Sequence, residues 1–325
     1  MSAPGYDAAT RSAALADRSG RTRIVVTGPD RAKVLHNLTT NDVKRLEPGR
    51  GREAFVTSGQ GKTLALVTVH AGPGRLLVRS DPGTAAAILA HAGKYGVFDD
   101  ATFEDIGAGT AEWHLVGPEL DATLARVGLT LPADDLGIAA VVIAGVPVSL
   151  IRERPTGRPG VTLIAAIDDA RVICEAIDLP DLSPDAFETL RIEAGTPIFG
   201  RDVTPANLPQ EVGRDARAIS FVKGCYLGQE TVARLDALGH VNKILIGAIA
   251  DEAGAESPAA GSPIRVGGLD VGTVTSSAPS PGWGRAVILG YVKVAHATPG
   301  TPLVVEGIGG PAGLTVRPLP MLPPG

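Results

Sequence analysis

The sequence predicts an α+β fold that gives way, near residue 240, to an all-β unit. Three observations carry this. From Arg23 to Leu238, short apolar strand-like runs alternate with segments of helical periodicity. From Lys243 onward, short apolar runs alternate with Gly, Pro and Ser clusters, the spacing of a small antiparallel barrel. Finally, the order strand, Gly-Pro, helix occurs twice, at Val26…Gly28-Pro29 and at Val116…Gly117-Pro118, as a distant internal duplication would leave it. The expected organisation is a loosely ordered stretch at 1–20, an α+β region of two interleaved subdomains at 21–240, and the barrel at 241–320.

The elements follow in order. Arg23–Thr27 reads as a strand, broken by Gly28-Pro29-Asp30, which opens a helix through Leu38 with Val34, Leu35 and Leu38 on one face. Ala54–Val56, Thr63–Val69 and Arg75–Val78 are strands joined by glycine-rich turns. Thr84–Lys94 is helical behind Pro82. Glu112–Val116 is a strand, Glu119–Val127 a helix, and Ala140–Ile143 and Val146–Ile151 are strands. Ser183-Pro184-Asp185 combines a capping hydroxyl, a proline at the first helical position and an acid in the first turn, so a helix runs from there to Ala194 and stops at Gly195. Gln229–Leu238 is a helix closed by Gly239. The barrel strands fall at Ile244–Ile249, Ile264–Val266, Val271–Val274, Ala286–Val294 and Leu303–Val305.

Composition narrows the function. With 30 basic and 35 acidic residues the net charge is −5, which gives no footing to nucleic acid or to a basic membrane face. No apolar run reaches the roughly 18 residues of a spanning helix, and the N-terminus lacks the basic start and apolar block of a signal peptide. The two cysteines, Cys174 and Cys225, make neither a disulfide framework nor a zinc pattern, so the expected compartment is a reducing cytoplasm.

The most informative run is Lys223-Gly224-Cys225-Tyr226-Leu227-Gly228-Gln229-Glu230. It sets a thiol between glycines, after a lysine and before a helix start, the local setting that favours a thiolate. The other motifs carry less. Among the six histidines only His240 is near Cys225 in sequence, at the far end of a helix about 15 Å long, so no local Cys-His pair is legible. Gly61-Lys62-Thr63 ends like a phosphate-binding loop, but Val56 stands where the first glycine is needed and a strand follows. No dinucleotide fingerprint follows a strand, and the carboxylate pairs Asp99-Asp100, Asp134-Asp135 and Asp168-Asp169 sit in turns.

Several segments together resemble the folate-binding family of the glycine-cleavage T protein (aminomethyltransferase) and the YgfZ-type proteins. They are Thr39-Thr40-Asn41-Asp42-Val43 with Leu46, Pro48 and Gly49; Leu190–Gly195 with Phe199–Asp202; Pro205, Asn207–Pro209 and Glu211; and Lys223–Glu230, which is similar to the YgfZ-type signature at every residue. The resemblance spans roughly 20 to 310. It implies three domains in a ring around a central folate cavity, with tetrahydrofolate or a one-carbon derivative as cofactor. For the YgfZ branch it also implies support of iron–sulfur cluster assembly or repair in client proteins, with assembly factors as partners. Two departures from the T protein stand out. Ala65 and Leu66 occupy the place of its paired acids, and Arg158 occupies that of its pterin-binding glutamate.

On this resemblance Cys225 is the working thiol and Lys223 its stabilising cation. Arg191 and Asn41 are expected at the folate cavity, with Gln229 and Glu230 opening the helix and holding the loop. No resident metal is expected. The rival reading is a tetrahydrofolate-dependent one-carbon transferase.

Overall fold

The computed structural model describes residues 3–239, 241–307 and 310–324. His240 lies outside the described residues. The chain begins with α1 (Tyr6–Arg11) and β1 (Ala14–Asp17). A first unit follows: β2 (Thr22–Thr27), α2 (Arg31–Leu38), the meander β3 (Gly51–Thr57), β4 (Thr63–Gly72) and β5 (Arg75–Ser80), then α3 (Ala85–Tyr95). The second unit comprises β6 (Thr102–Asp105), β7 (Thr110–Val116), α4 (Leu120–Arg126), the meander β8 (Ile138–Ile143), β9 (Val146–Arg152) and β10 (Gly160–Ala166), and α5 (Ala170–Ile177). Three helices, α6 (Pro184–Glu193), α7 (Asp215–Ala218) and α8 (Gln229–Leu238), lead to the barrel strands β11 (Lys243–Ala250), β12 (Pro263–Val266), β13 (Leu269–Ser280), β14 (Arg285–Lys293), β15 (Pro302–Gly307) and β16 (Gly310–Arg317).

The two sheets have one topology. The first is ordered β3-β4-β5-β2-β6, the second β8-β9-β10-β7-β1, so each is a three-strand meander, the strand that opens the unit, and one edge strand. The edge strands are exchanged. β1 leads directly into β2 but pairs with β7, Leu15 facing Leu115. β6 leads directly into β7 but pairs with β2, Phe103 facing Val26. The two Gly-Pro breaks are equivalent in detail. Gly28 (φ 94°) and Gly117 (φ 141°) lie so close to the lead-in of the exchanged strand that a Cβ would approach Asp100 O and Ser12 O, each to 2.3 Å. Two residues later, the N–H groups of Asp30 and Glu119 donate to those same carbonyls at 3.0 and 2.9 Å.

This exchange corrects the expectation of a loose segment at 1–20. Residues 6–17 are folded: α1 buries Tyr6 and Ala9, and β1 buries Ala14, Leu15 and Ala16 as the edge of the second sheet. Small side chains read as disorder in the sequence because their partners lie about a hundred residues away. α6 starts as expected, with Ser183 Oγ accepting from the Ala186 N–H and Pro184 in the first turn. The barrel is closed, in the order β11-β14-β13-β12-β15-β16.

Each sheet buries one face beneath its own helices, around Val26, Val67 and Val78 in the first and Trp113, Leu115 and Leu163 in the second. The other faces meet, with Leu77, Ile151 and Ile164 packed together. Strand alternation sends Leu77 and Arg79 of β5, and Glu112 and His114 of β7, to this shared face. There the fully buried Arg79 guanidinium donates to Glu112 at 2.6 and 3.2 Å and to Glu153 at 2.8 and 2.9 Å. Burial opposes the charges, but the pairing outweighs it: Arg79 is held above its ordinary pKa, and Glu112 and Glu153 below theirs.

Two predictions follow from this face. Arg79→Met leaves buried Glu153 without its cation and Glu112 with only the longer contacts to Arg23 and Arg21, and is expected to cost about 3–5 kcal/mol in urea unfolding; a loss below about 1 kcal/mol would show the pairs to be dispensable. The second concerns pH. Burial pushes His70 and His114 from 6.5 to about 4, so between those values the unfolded chain binds the extra protons. Stability is therefore full above pH 6.5 and falls as pH drops toward 4. It falls further as Glu112 and Glu153 protonate below the ordinary carboxylate range. Urea midpoints measured across this window check the sign.

Candidate functional site

A cavity of about 670 Å³ lies where the two sheets, α6 and the barrel meet. β4 contributes Leu66 and Thr68; β7 contributes Glu112 and His114; α6 contributes Phe187 and Arg191; β11 contributes Ile244–Gly247; and 317–320 close the barrel side. The size suits a cofactor-sized ligand. Its floor is the charged layer around Arg79. Arg21 lies 3.8 Å from Glu112 and 3.9 Å from Asp81, and Asp81 accepts from the Phe199 N–H at 2.7 Å. Arg18 stacks over the Phe187 ring at 4.1 Å; burial, then neighbouring Arg21, pushes it down to about 10. Arg154 and Arg317 line the cavity, are exposed, and have no hydrogen-bond or ion-pair partner for their guanidinium groups among the described residues. Every carboxylate on the wall (Glu53, Asp81, Glu112, Glu153) is already engaged by a cation.

The structure separates the residues expected to work together. Arg191 does line the cavity, but its donors are committed to Glu188, to Asp202 at 2.5 Å, to Ser276 at 2.6 Å and to Thr196 O at 3.3 Å. It lies at the cavity as expected, with its guanidinium tying α6 to the barrel. Asn41 lies in a different hollow, a groove beside Phe221 and Val222. Its Nδ2 donates to Glu53 O and Arg217 O, both at 2.8 Å, so it too is a scaffold residue. Arg158, at the place of the T protein's glutamate, pairs with buried Glu193 at 3.3 Å and does not line the cavity. Leu66 does line it, so the position where the resemblance implies an acid is an apolar spot on this wall.

The Lys223–Glu230 loop lies outside the central cavity. Lys223 is buried, and its Nζ donates to three carbonyls: His36 and Thr39, each at 2.5 Å, and Asn41 at 3.0 Å. Burial pushes it down to about 7, while Asp42 favours its charge. It is a staple between the loop and the end of α2 rather than a cation turned toward Cys225. Beyond the thiol, the Leu227 N–H donates to Asn37 O at 2.8 Å and Leu227 O accepts from Thr57 Oγ1 at 2.6 Å. Gly228 (φ 83°) abuts Ser58 O so closely that no Cβ fits. Held at both ends, the loop leaves Gly224 and Cys225 exposed. Gln229 and Glu230 open α8 at the base of the loop and touch neither hollow. Among the described residues no cluster of three or more His, Cys, Asp or Glu is placed to hold a metal, and no helix is long and apolar enough to cross a membrane.

Comparison with known proteins agrees with this geometry. Residues 3–223 match the GCVT N-terminal domain, and residues 243–322 match the glycine cleavage T-protein C-terminal barrel domain. The chain belongs to the glycine-cleavage T-protein family. It is 32% identical over 304 residues to an aminomethyltransferase of Streptomyces avermitilis, covering 89% of this chain and 80% of that one. It is 30% identical over 325 residues to the mitochondrial aminomethyltransferase of Gallus gallus, covering 91% and 78%. The fold matches that of the glycine cleavage system aminomethyltransferase T from Bartonella henselae with a TM-score of 0.83 at 22% identity, over 98% of this chain and 88% of that one.

The Arg79 ion pairs and the Arg18–Phe187 stack had no signal in the sequence, because each joins segments far apart. Only the alternation of Glu112 with Trp113 and Leu115 marked Glu112 as facing away from its own core. The staple yields a prediction. Lys223→Met strands the His36 and Thr39 carbonyls, at about 1–3 kcal/mol each when buried, and leaves Asn41 O with the Val43 N–H alone. Proteolysis between 219 and 228 should accelerate and the melting temperature should fall; an unchanged cleavage rate would remove Lys223 from its structural role.

Proposed function

We propose that the central cavity binds tetrahydrofolate and that the protein acts in folate-dependent one-carbon transfer. The observation that carries this is a cofactor-sized cavity at the junction of both sheets and the barrel, in a chain whose relatives over most of its length are named aminomethyltransferases. The donor set fits the ligand. Phe187 offers an aromatic edge, and Leu66, Ile244 and Ile246 offer apolar wall for a ring system. The unpaired Arg154 and Arg317 suit the carboxylates of a glutamate tail. Folate supplies the nitrogen that carries the one-carbon unit; the chain's own part is to bind, orient and exclude water.

A second reading is favoured by one observation: the signature thiol is exposed outside the cavity, while Leu66 leaves the wall without the family's acid. In this reading the protein is of the YgfZ type, works in a reducing cytoplasm, and supports iron–sulfur enzymes through Cys225 with folate bound. Both readings require folate. Titration with tetrahydrofolate at a hundredfold excess over its dissociation constant should add about 2.7 kcal/mol of stability; no shift in melting temperature would overturn both. Formation of 5,10-methylene-tetrahydrofolate from an aminomethyl donor then supports the first. No turnover, together with loss of iron–sulfur enzyme activity in a Cys225→Ser strain, supports the second.

A further inference from the structure

The two sheets end in four edge strands, and three of these edges are guarded. β1 is covered by the segment 180–182: the Leu15 N–H donates to Pro180 O at 3.0 Å, and the Leu182 N–H donates to Leu15 O at 2.8 Å. β3 is covered by the end of α2. The Thr40 N–H donates to Phe55 O, and the Phe55 N–H donates to Thr40 Oγ1, both at 2.9 Å. β6 carries Glu104 and Asp105, charges that keep a further strand away. β8 has none of these devices. It pairs with β9 alone, and no charged residue occurs from Leu136 to Ile151.

The free groups on this edge follow from the register. The Ile138 N–H donates to Gly49 O at 2.9 Å, so it faces away from β9. Alternation along the strand turns the N–H and C=O groups of Ala140 and Val142 the same way. Among the described residues these four groups meet no partner. Ala140 is exposed, and Val142 is 61% exposed. The strand ends in a two-residue turn, Ala144 (φ 48°) and Gly145 (φ 84°), whose tip is uncharged as well.

We propose that β8 is a dimerisation edge, which pairs antiparallel with β8 of a second copy of this chain about a two-fold axis at Val142. In this register the two Val142 residues exchange N–H···O bonds, and each Ala140 lies opposite Ala144 of the other copy. Donor meets acceptor reciprocally, as a two-fold contact requires. Gly49 sets the register. It occupies the space beside Ile138, so an added strand cannot run the length of β8. The turn at Ala144 ends the second copy's strand before it would reach Gly49. Charge selects the occupant. An acidic or basic segment would lay its charges along an edge that offers no counter-charge, whereas a second copy brings the same uncharged residues. Pairing joins two five-stranded sheets into one continuous sheet. None of residues 138–145 lines the central cavity, so this inference is independent of what the cavity binds.

Sedimentation velocity of the full chain over a dilution series tests this. The expected result is a monomer–dimer equilibrium in which the doubled mass grows with concentration. Val142→Lys and Val142→Glu each set like charges opposite one another at the axis and should abolish the dimer. Val142 is exposed in the single chain, so both variants should fold and keep the melting temperature of the monomer. An equimolar mixture of the two should restore the dimer, because Lys then faces Glu. Phe98→Lys, at a fully exposed aromatic side chain beyond α3, should leave the dimer intact. A chain still monomeric at about 1 mM overturns the proposal. A dimer that survives Val142→Lys overturns it as well, and so does a mixture of the two variants that stays monomeric.

Discussion

Arg79 is the interaction on which the rest of this molecule depends. A guanidinium with no exposed surface is tolerable only when its donors are satisfied by charge, and two carboxylates from the opposite sheet supply that. The geometry is bidentate toward both partners, so it fixes distance and rotation between the sheets together. Apolar packing around Leu77 and Ile164 would hold the sheets together but would permit sliding. The charged layer removes that freedom, and in doing so it forms the floor of the central cavity.

The exchanged edge strands act with the same result. Each repeat finishes the sheet of the other, so neither sheet is complete until both are made. This explains why Ala13, Ala14, Leu15 and Ala16 are all buried. The barrel is fastened by a second set of polar links. Arg191 joins α6 to Ser276, and Glu193 accepts from Tyr6 at 2.7 Å and from Ser280 at 2.6 Å. A ring built this way encloses a cavity whose walls come from every part of the fold, while the signature loop is left on the outside.

Legibility in the sequence followed the range of the physics. Helix starts and stops at Ser183, Gly195 and Gly239 were readable, because capping and left-handed turns are decided within a few residues. The duplicated strand, Gly-Pro, helix order was readable as well, because the break is a local steric requirement. The exchange of strands was not readable: β1 and β6 satisfy the same alternation whichever sheet they join. The site residues divided along this line. Cys225 was found, since its glycines and helix start are local. Arg191 lines the cavity as its motif implies, while Asn41 lies in another hollow; that the donors of both are committed is set by partners far along the chain.

By itself the sequence determined the α+β body, the β-barrel that follows it, and the run of eight residues that sets a thiol on a loop. These depend on periodicity, turn chemistry and capping, all short-range. Only the tertiary structure decided what surrounds each charged group. It buried Lys223 against three carbonyls, turned Arg158 away from the cavity, and paired every acid on the cavity wall with a cation. Coulomb energy and desolvation are set by distance in space, and the fold alone sets that distance.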